Sequence, residues 1–274
     1  MLTEWKSSQG PKSQVARQFA RSTRTYNAAA VVQRETAEHL IGMIHRAAGA
    51  VEPRNVLELG CGTGLLTALL VREFPIQHLV LNDLLQNAAT LARRDARGRP
   101  AIRVELRLGD MEYIELPMNQ DLVASNAVLQ WAEDPIAMLH RMQSAVKPHG
   151  LLALATFGPE NLWETRELTG CCLHYPPLRT IQRELALESE VLESREQRRT
   201  IYFESAFAVL QHLKRTGVNS LARERWSPRA VKAFCNLYEF HFQREGQVPL
   251  TYHPMLVVAR RRGVAASADA ERNR

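Results

Sequence analysis

At positions 56–64 the chain reads Val56-Leu57-Glu58-Leu59-Gly60-Cys61-Gly62-Thr63-Gly64, an apolar run that breaks into three glycines at alternate positions. The apolar stretch 65–70 follows at once. This order predicts a strand, a tight turn and a helix, because glycine reaches backbone angles that are closed to other residues. The first N–H groups of that helix have no partner within it, so they can receive a polar ligand. Loops that bind a pyrophosphate read G-x-G-x-x-G, so the G-x-G-x-G spacing argues against a pyrophosphate.

An acidic residue stands where an acid that binds a ribose is expected. The segment 78–83 predicts the second strand and ends in Asp83, which follows Gly60 by 83 − 60 = 23 positions. Nucleotide-binding βαβ units place about 20 positions between the glycine loop and this acid. A glycine loop alone is more often only a turn, but here strand, helix, second strand and terminal acid follow in order. The sequence therefore predicts a site for a nucleotide-like ligand.

This arrangement resembles motif I of the class I S-adenosylmethionine methyltransferases. The resemblance implies a Rossmann-like α/β fold: a mixed, mostly parallel seven-stranded sheet with helices on both faces and a helical lid insertion. It implies S-adenosylmethionine as the cofactor, with Glu58 beside the methionine amino group, the glycines along the cofactor's edge and Asp83 at the ribose hydroxyls. The cofactor-binding candidates are Tyr26, Glu58, Gly60, Gly62, Gly64, Asp83, Leu84, Asp110, Met111 and Asn126.

The stretch 102–108 alternates apolar and charged residues, which predicts a strand that is solvated on one face, as at a sheet edge. It ends at Gly109-Asp110-Met111. In the family that this chain resembles, the acid of this pair accepts a hydrogen bond from the adenine amine and the next residue packs on the ring. The alternative for Asp110 is a loop acid that starts a turn.

The fourth predicted strand, 121–126, leads into Gln130 and Trp131. Residues at the carboxyl ends of strands in an open α/β sheet face the ligand crevice. Ser125, Asn126, Gln130 and Trp131 are therefore candidates for the chemistry. The segment lacks the Asn/Asp-Pro-Pro-aromatic signature of DNA enzymes that methylate amino groups, which weakens a role on nucleic acid.

Motifs at both ends resemble a narrower family, the malonyl-acyl-carrier-protein O-methyltransferases of biotin synthesis. They are Phe19, Arg21, Tyr26 and Gln33 near the start, the "S-N-x-x-x-Q-W" of 125–131, "L-K-x-x-G" at 213–217 and "P-L-T-Y-H" at 249–253. The resemblance spans roughly residues 19–260, and Arg215 and Thr216 are more polar than expected for it. In that family the segment around Tyr26 folds over the cofactor; an ordinary half-buried tyrosine is the alternative.

The resemblance implies a carboxyl O-methyltransferase that acts on a malonyl thioester held by an acyl carrier protein or coenzyme A. No residue is predicted as a general base, and no metal site is predicted. The residues predicted to position the substrate are Tyr26, Gln130, Trp131, Lys214, Arg215 and Tyr252. Two other hypotheses remain: a methyltransferase for small molecules of the quinone type, and a cofactor-binding protein without catalysis.

Composition sets further bounds. The 274 residues carry a formal net charge of +6, which favours an acidic partner, although arginines spread over a solvated surface would give the same charge. No apolar run approaches the ~20 residues of a membrane span, and the first 14 residues lack a signal-peptide core. We therefore expect a cytoplasmic protein with a carrier protein as partner and neither nucleic acid nor membrane.

The four cysteines lack C-x-x-C spacing, so neither a disulfide framework nor a zinc site is indicated.

The chain is predicted to be one methyltransferase domain over 15–262, flanked by a disordered N-terminus, 1–14, and a disordered tail, 263–274. Two helices, within 15–50, are expected to precede the sheet. The charged segment 158–197, which shows no clear strand, is interpreted as an insertion that forms a lid over the active site.

Overall fold

The computed structural model describes residues 25–49, 52–86, 90, 102–170, 173–217 and 226–263. Its strands, in chain order, are β1 Asn55–Leu59, β2 His78–Asp83, β3 Arg103–Leu108, β4 Gln120–Asn126, β5 Val146–Phe157, β6 Ser189–Glu196, β7 Arg199–Phe203, β8 Val248–Tyr252 and β9 Pro254–Arg261. Seven of them form one sheet in the order β3-β2-β1-β4-β5-β9-β6. Strand β9 is antiparallel to both of its neighbours, and the other pairs are parallel. The predicted mixed, mostly parallel seven-stranded sheet is confirmed.

Helices cover both faces of this sheet. They are α1 Val31–Ala48, α2 Leu65–Glu73, α3 Pro135–Ala145, α4 Trp163–Thr169, α5 Leu178–Leu185, α6 Ala206–Arg215 and α7 Pro228–Phe242. Successive side chains of a strand point to opposite faces. In β4, Leu122 and Ala124 pack with α1 and α2, whereas Val123 packs with α3 and α5. Both faces are therefore buried, which explains why the central strands are apolar throughout.

A third apolar cluster lies beyond the carboxyl end of β5. Strands β7 and β8 pair with each other in a separate antiparallel sheet, and α4, α6 and α7 pack around it. We call these five elements the cap. Phe157, at the end of β5, belongs to the same cluster as Tyr238 and Leu250 of the cap, so the cap is packed onto the carboxyl edge of the main sheet.

Helix α3 begins with a side-chain cap. Asp134 accepts hydrogen bonds from the backbone N–H groups of Ile136 and Ala137, and Pro135 occupies the first turn. Ser205 and Ser227 cap α6 and α7 in the same way. These caps fix where three helices start, because the first N–H groups of a helix have no acceptor inside it.

The interpretation of 158–197 as an insertion without a strand is wrong for its second half. Ser189–Glu196 is β6, an edge strand of the main sheet, and it pairs with β9. Ile181 and Leu185 of α5 are buried in the core on one face of that sheet. Edge strands carry charged side chains, so three glutamates within β6 concealed the strand pattern. A lid role stays a prediction for the part before Leu178.

Other predictions lie outside the described residues. They are the disordered start at 1–14, the first N-terminal helix before residue 25, and the tail after residue 263. The second N-terminal helix is confirmed as α1.

Candidate active site

The glycine loop joins β1 to α2 at the carboxyl edge of the sheet. All three glycines have positive φ, +66° at Gly60, +51° at Gly62 and +91° at Gly64. A side chain at Gly60 is excluded by this backbone conformation and also by its surroundings, because a Cβ there would lie 2.3 Å from Cγ2 of Val128. Glycine at this position therefore lets Val128 pack against the loop.

Asp83 ends β2 beside this loop, as predicted, and is only 9% exposed. Its Oδ2 accepts a hydrogen bond from the N–H of Gly62 at 2.7 Å, and its Oδ1 accepts one from the N–H of Leu85 at 2.8 Å. Burial raises the pKa of Asp83 above its ordinary value. A carboxylate has about four acceptor sites, so Asp83 can also accept from a ligand hydroxyl. The adjacent Leu84 is exposed.

Glu58 is buried within β1 and is followed by Leu59, the last residue of that strand. Its Oε2 accepts a hydrogen bond from the hydroxyl of Thr67 on α2 at 2.6 Å. Burial raises the pKa of Glu58 to about 8, with the nearby charge of Asp83 adding to the rise. Glu58 is therefore mostly protonated at neutral pH, and a positively charged ligand beside it would favour its ionised form. Thr67, a polar residue in an otherwise apolar helix start, was not singled out from the sequence.

The segment before α1 lies against the glycine loop. Asn27 Oδ1 accepts a hydrogen bond from the hydroxyl of Thr63 at 2.5 Å, and the guanidinium of Arg34 donates to the Asn27 carbonyl. Burial raises the pKa of Tyr26, and the negative charge of Asp83 raises it further. Tyr26 is therefore close to the acid that ends β2, at the place where the resemblance expects a covering segment.

Asn126 ends β4, but both ends of its amide are bound to α1. Its Oδ1 accepts from the hydroxyl of Thr36 at 2.8 Å, and its Nδ2 donates to the carbonyl of Gln33 at 2.9 Å. Ser125 donates to the carbonyl of Leu59 at 3.1 Å. These bonds tie α1 and β1 to the end of β4, and a direct contact of Asn126 with a cofactor stays a prediction.

Gln130 is 5% exposed and bridges two neighbouring elements. Its Nε2 donates to the carbonyl of Ala127 at 2.7 Å, and its Oε1 accepts from the hydroxyl of Thr156 on β5 at 3.2 Å. These bonds give the amide a structural role that the sequence did not reveal. Trp131, which follows it, is half-buried, and substrate positioning by either residue stays a prediction.

Asp110 and Met111 follow β3. Asp110 Oδ1 accepts from the N–H of Glu112 at 3.1 Å, the geometry of a loop acid that starts a turn. Met111 is buried in the core cluster on the α3 face. Nδ2 of Asn82 donates to the carbonyl of Gly109 at 2.9 Å, so this turn is fixed to the end of β2. A contact with an adenine ring stays a prediction for both residues.

Tyr252 ends β8 and is buried in the apolar cluster of the cap. Its hydroxyl lies 2.8 Å from Nε2 of His212 on α6. Burial raises the pKa of Tyr252, and the phenol of Tyr26 is among the groups whose charge would raise it further, so these two tyrosines are neighbours. Burial, aided by the charge of Arg215, lowers the pKa of His212, which is therefore neutral at pH 7. Lys214 and Arg215 are exposed in the last turn of α6.

The glycine loop, Asp83 and Glu58 form a crevice at the carboxyl edge of the sheet, and this crevice fits the cofactor that the resemblance implies. The loop has three glycines with positive φ, Asp83 offers acceptors for hydroxyls, and a cation beside Glu58 would favour its ionised form. Over the described part of the chain, no group of three or more His, Cys, Asp or Glu side chains could hold a metal ion. No helix among these residues is both long and apolar enough to cross a membrane.

Comparisons with known proteins agree with this geometry. Residues 57–154, which contain the glycine loop and Asp83, match a family model described as "Methyltransferase domain". The chain is 36% identical to the malonyl-[acyl-carrier protein] O-methyltransferase of Haemophilus ducreyi, over 90% of this chain and 96% of the relative. The enzyme of the same name from Chlorobium phaeovibrioides is 37% identical, over 92% of this chain and 97% of the relative.

A solved structure supports the fold. The magnesium protoporphyrin IX methyltransferase of Synechocystis PCC 6803 with bound SAH superposes with a TM-score of 0.53 at 14% identity. The match covers 87% of this chain and 86% of that one.

Proposed function

Because the chain belongs to the family of malonyl-[acyl-carrier protein] O-methyltransferases, we propose that it methylates the free carboxylate of a malonyl thioester carried by an acyl carrier protein. The methyl donor is S-adenosylmethionine, and the product is the malonyl methyl ester that starts biotin synthesis. The observation that carries this proposal is identity of more than one third over nearly the full length of those relatives. A malonyl thioester of coenzyme A is the closest alternative substrate.

The crevice supports the choice of methyl donor. When bound, the cofactor supplies a methyl group on a sulfonium, which a nucleophile takes while the electron pair of the C–S bond stays on sulfur. Asp83 accepts hydrogen bonds from the ribose hydroxyls, and the glycine loop lies along the cofactor. Glu58 carries the negative charge that a cationic ligand needs, since its raised pKa falls when a positive charge lies beside it.

The reaction needs no general base. A malonyl carboxylate has a reference pKa near ~4, so it is ionised at pH 7 and has no proton to lose. The work of the protein is placement and exclusion of water. Holding a nucleophile in line with its target supplies roughly 7–11 kcal/mol of a barrier.

Among the predicted positioning residues, we favour Tyr26 and Tyr252, which are close to each other. Both phenols keep their protons at neutral pH, because burial raises the pKa of each. The Tyr252 hydroxyl lies 2.8 Å from Nε2 of His212, so a substrate carboxylate would share or replace that hydrogen bond. Neutral groups can orient a carboxylate without binding it so tightly that it ceases to be nucleophilic.

The test is incubation with labelled S-adenosylmethionine and either malonyl or acetyl carrier protein. We expect label to appear in the malonyl protein alone, because the acetyl thioester lacks the second carboxylate. Methylation of the acetyl compound, or of a quinone precursor in preference to malonyl carrier protein, would assign the chain to the small-molecule methyltransferases. Cofactor binding without any transfer would indicate a binding protein.

A further inference from the structure

A groove of about 200 Å³ lies between α1, the end of β6, the start of β7 and the start of β9. The buried residues that line it are the apolar Val32, Pro254 and Leu256, with Thr36 as the one polar member. Arg195, Arg199 and His39 line it with exposed side chains. The groove therefore combines an apolar base with nitrogen donors, two of which carry a permanent positive charge.

The charges around the groove leave it positive. Glu35 also lines it, and its Oε1 lies 3.3 Å from Arg199, so it offsets one of the two arginine charges and leaves the other in excess. Arg195 donates to the neutral amide of Gln197 at 2.8 Å. Glu193 pairs with Arg46 at 2.9 Å. The hydrogen bond to Arg46 is the main cause that lowers the pKa of Glu193, and the charge of Arg195 is the smallest.

The groove adjoins the crevice. Thr36 lines the groove and donates to Asn126, which ends β4 at the carboxyl edge of the sheet. Val32 lines it as well and packs in the same cluster as Phe157 and Tyr252. The groove and the crevice are therefore neighbours at this edge of the sheet.

We propose that the groove binds the phosphate end of the phosphopantetheine arm that carries the malonyl group, an inference that rests on the proposed function. In this arm the phosphate is attached next to a carbon that bears two methyl groups. An apolar floor beside two guanidinium groups matches that pairing of methyls and phosphate. Arginine is suited to phosphate because its N–H groups form a planar fork.

The experiment compares two substrates that differ only in this phosphate, malonyl-pantetheine and malonyl-4′-phosphopantetheine. For the native chain, kcat/KM is expected to be about tenfold higher with the phosphate, the order of one charge-assisted hydrogen bond. In the double variant Arg195→Gln/Arg199→Gln the ratio should fall to about 1. The matched control, Arg72→Gln/Arg183→Gln, removes two exposed arginines that lie elsewhere and should keep the native ratio.

Calorimetric titration of 4′-phosphopantetheine and pantetheine, without an acyl group, gives the same comparison as dissociation constants. Turnover of malonyl-pantetheine by the groove variant shows that the variant is folded. A native ratio near 1, or an unchanged ratio in the groove variant, would overturn the proposal. If neither thioester nor malonyl carrier protein is methylated, the proposed function fails, and the titration alone decides the role of the groove.

Discussion

Oδ2 of Asp83 accepts a hydrogen bond from the backbone N–H of Gly62 at 2.7 Å, so the acid that ends β2 also fixes the loop that follows β1. The two strands are parallel neighbours, and their carboxyl ends meet at one edge of the sheet. The acid and the glycine loop therefore form one unit, and changes to either are expected to affect cofactor binding.

Replacement of Asp83 by alanine should weaken binding of S-adenosylmethionine by more than about tenfold, since hydrogen bonds to a charged group contribute about 1.5–3 kcal/mol. Calorimetric titration measures the dissociation constant. Asp134→Ala is the control, because it removes an exposed helix-capping carboxylate and should lower stability while leaving cofactor affinity unchanged. An unchanged dissociation constant in folded Asp83→Ala would remove Asp83 from the site.

Gly60 and Gly170 share a φ of +66° but differ in their surroundings. Alanine at Gly170, where nothing lies within 4 Å of the added Cβ, should cost only the left-handed backbone strain of about 1–2 kcal/mol. Alanine at Gly60 should lower the free energy of unfolding further, because its Cβ would collide with Val128. Urea denaturation measures both losses. Adding Val128→Ala to Gly60→Ala should recover part of the loss, and equal losses at the two glycines would contradict the described contact.

Glu58 should make the cofactor-free protein less stable as pH rises from about 5 to 8. An unfolded glutamate loses its proton near its ordinary pKa of 4.5, whereas burial raises the pKa of Glu58 in the folded chain to about 8. Between these values the unfolded state binds fewer protons, so the free energy of unfolding falls by at most about 1.4 kcal/mol per pH unit.

The measurement is urea denaturation at pH 5.5 and pH 8 for the native chain and Glu58→Gln. The glutamine cannot ionise, so the variant should lose less stability across this interval. Equal losses in the two proteins would show that Glu58 is not protonated in the folded state.

The sequence predicted most of the sheet because hydrophobic periodicity and turn residues are local signals. It missed β6, since that strand gains its stability from hydrogen bonds to β9, about 60 positions later, and not from its own apolar residues. The pairing of β7 with β8 was likewise hidden, because each strand is short and its partner lies beyond two helices.

The candidate site also has a part that local sequence signals predicted and a part that they did not. The glycine loop and Asp83 follow a fixed spacing within one βαβ unit, so the sequence located them together. The partners of Asn126 and Gln130 lie on other elements, Thr36 on α1 and Thr156 on β5. A single sequence carries no signal for such long-range hydrogen bonds, so both amides looked free for a ligand.

Lys214 and Arg215, exposed at the end of α6, are predicted to attract an acidic carrier protein. Attraction between exposed charges is screened within about 8–10 Å at physiological salt. The KM for malonyl carrier protein should therefore rise steeply with salt, and that for malonyl coenzyme A less so. Lys214→Glu/Arg215→Glu should flatten the response, whereas Arg72→Glu/Arg183→Glu should not. Equal salt responses for both substrates in the native chain would count against docking at this surface.

At saturating substrate and cofactor, the rate constant should be nearly flat from about pH 6 to 9, because the carboxylate nucleophile is already ionised. Tyr26 and Tyr252 also keep their protons over this interval, because burial raises the pKa of each phenol. Burial lowers the pKa of His212, so this imidazole is neutral at and above pH 7.

The profile is measured as kcat against pH with malonyl carrier protein, using buffers of constant ionic strength. Glu58 is the group that could make kcat depend on pH, since its pKa is about 8 without a ligand. A bound cation lowers that pKa, so saturation with S-adenosylmethionine should remove the slope from kcat, while kcat/KM for the cofactor should still rise toward pH 8. Glu58→Gln should abolish that rise in kcat/KM. A kcat that climbs tenfold per pH unit through neutrality would instead reveal a required base, because only loss of one proton from an essential group gives that slope.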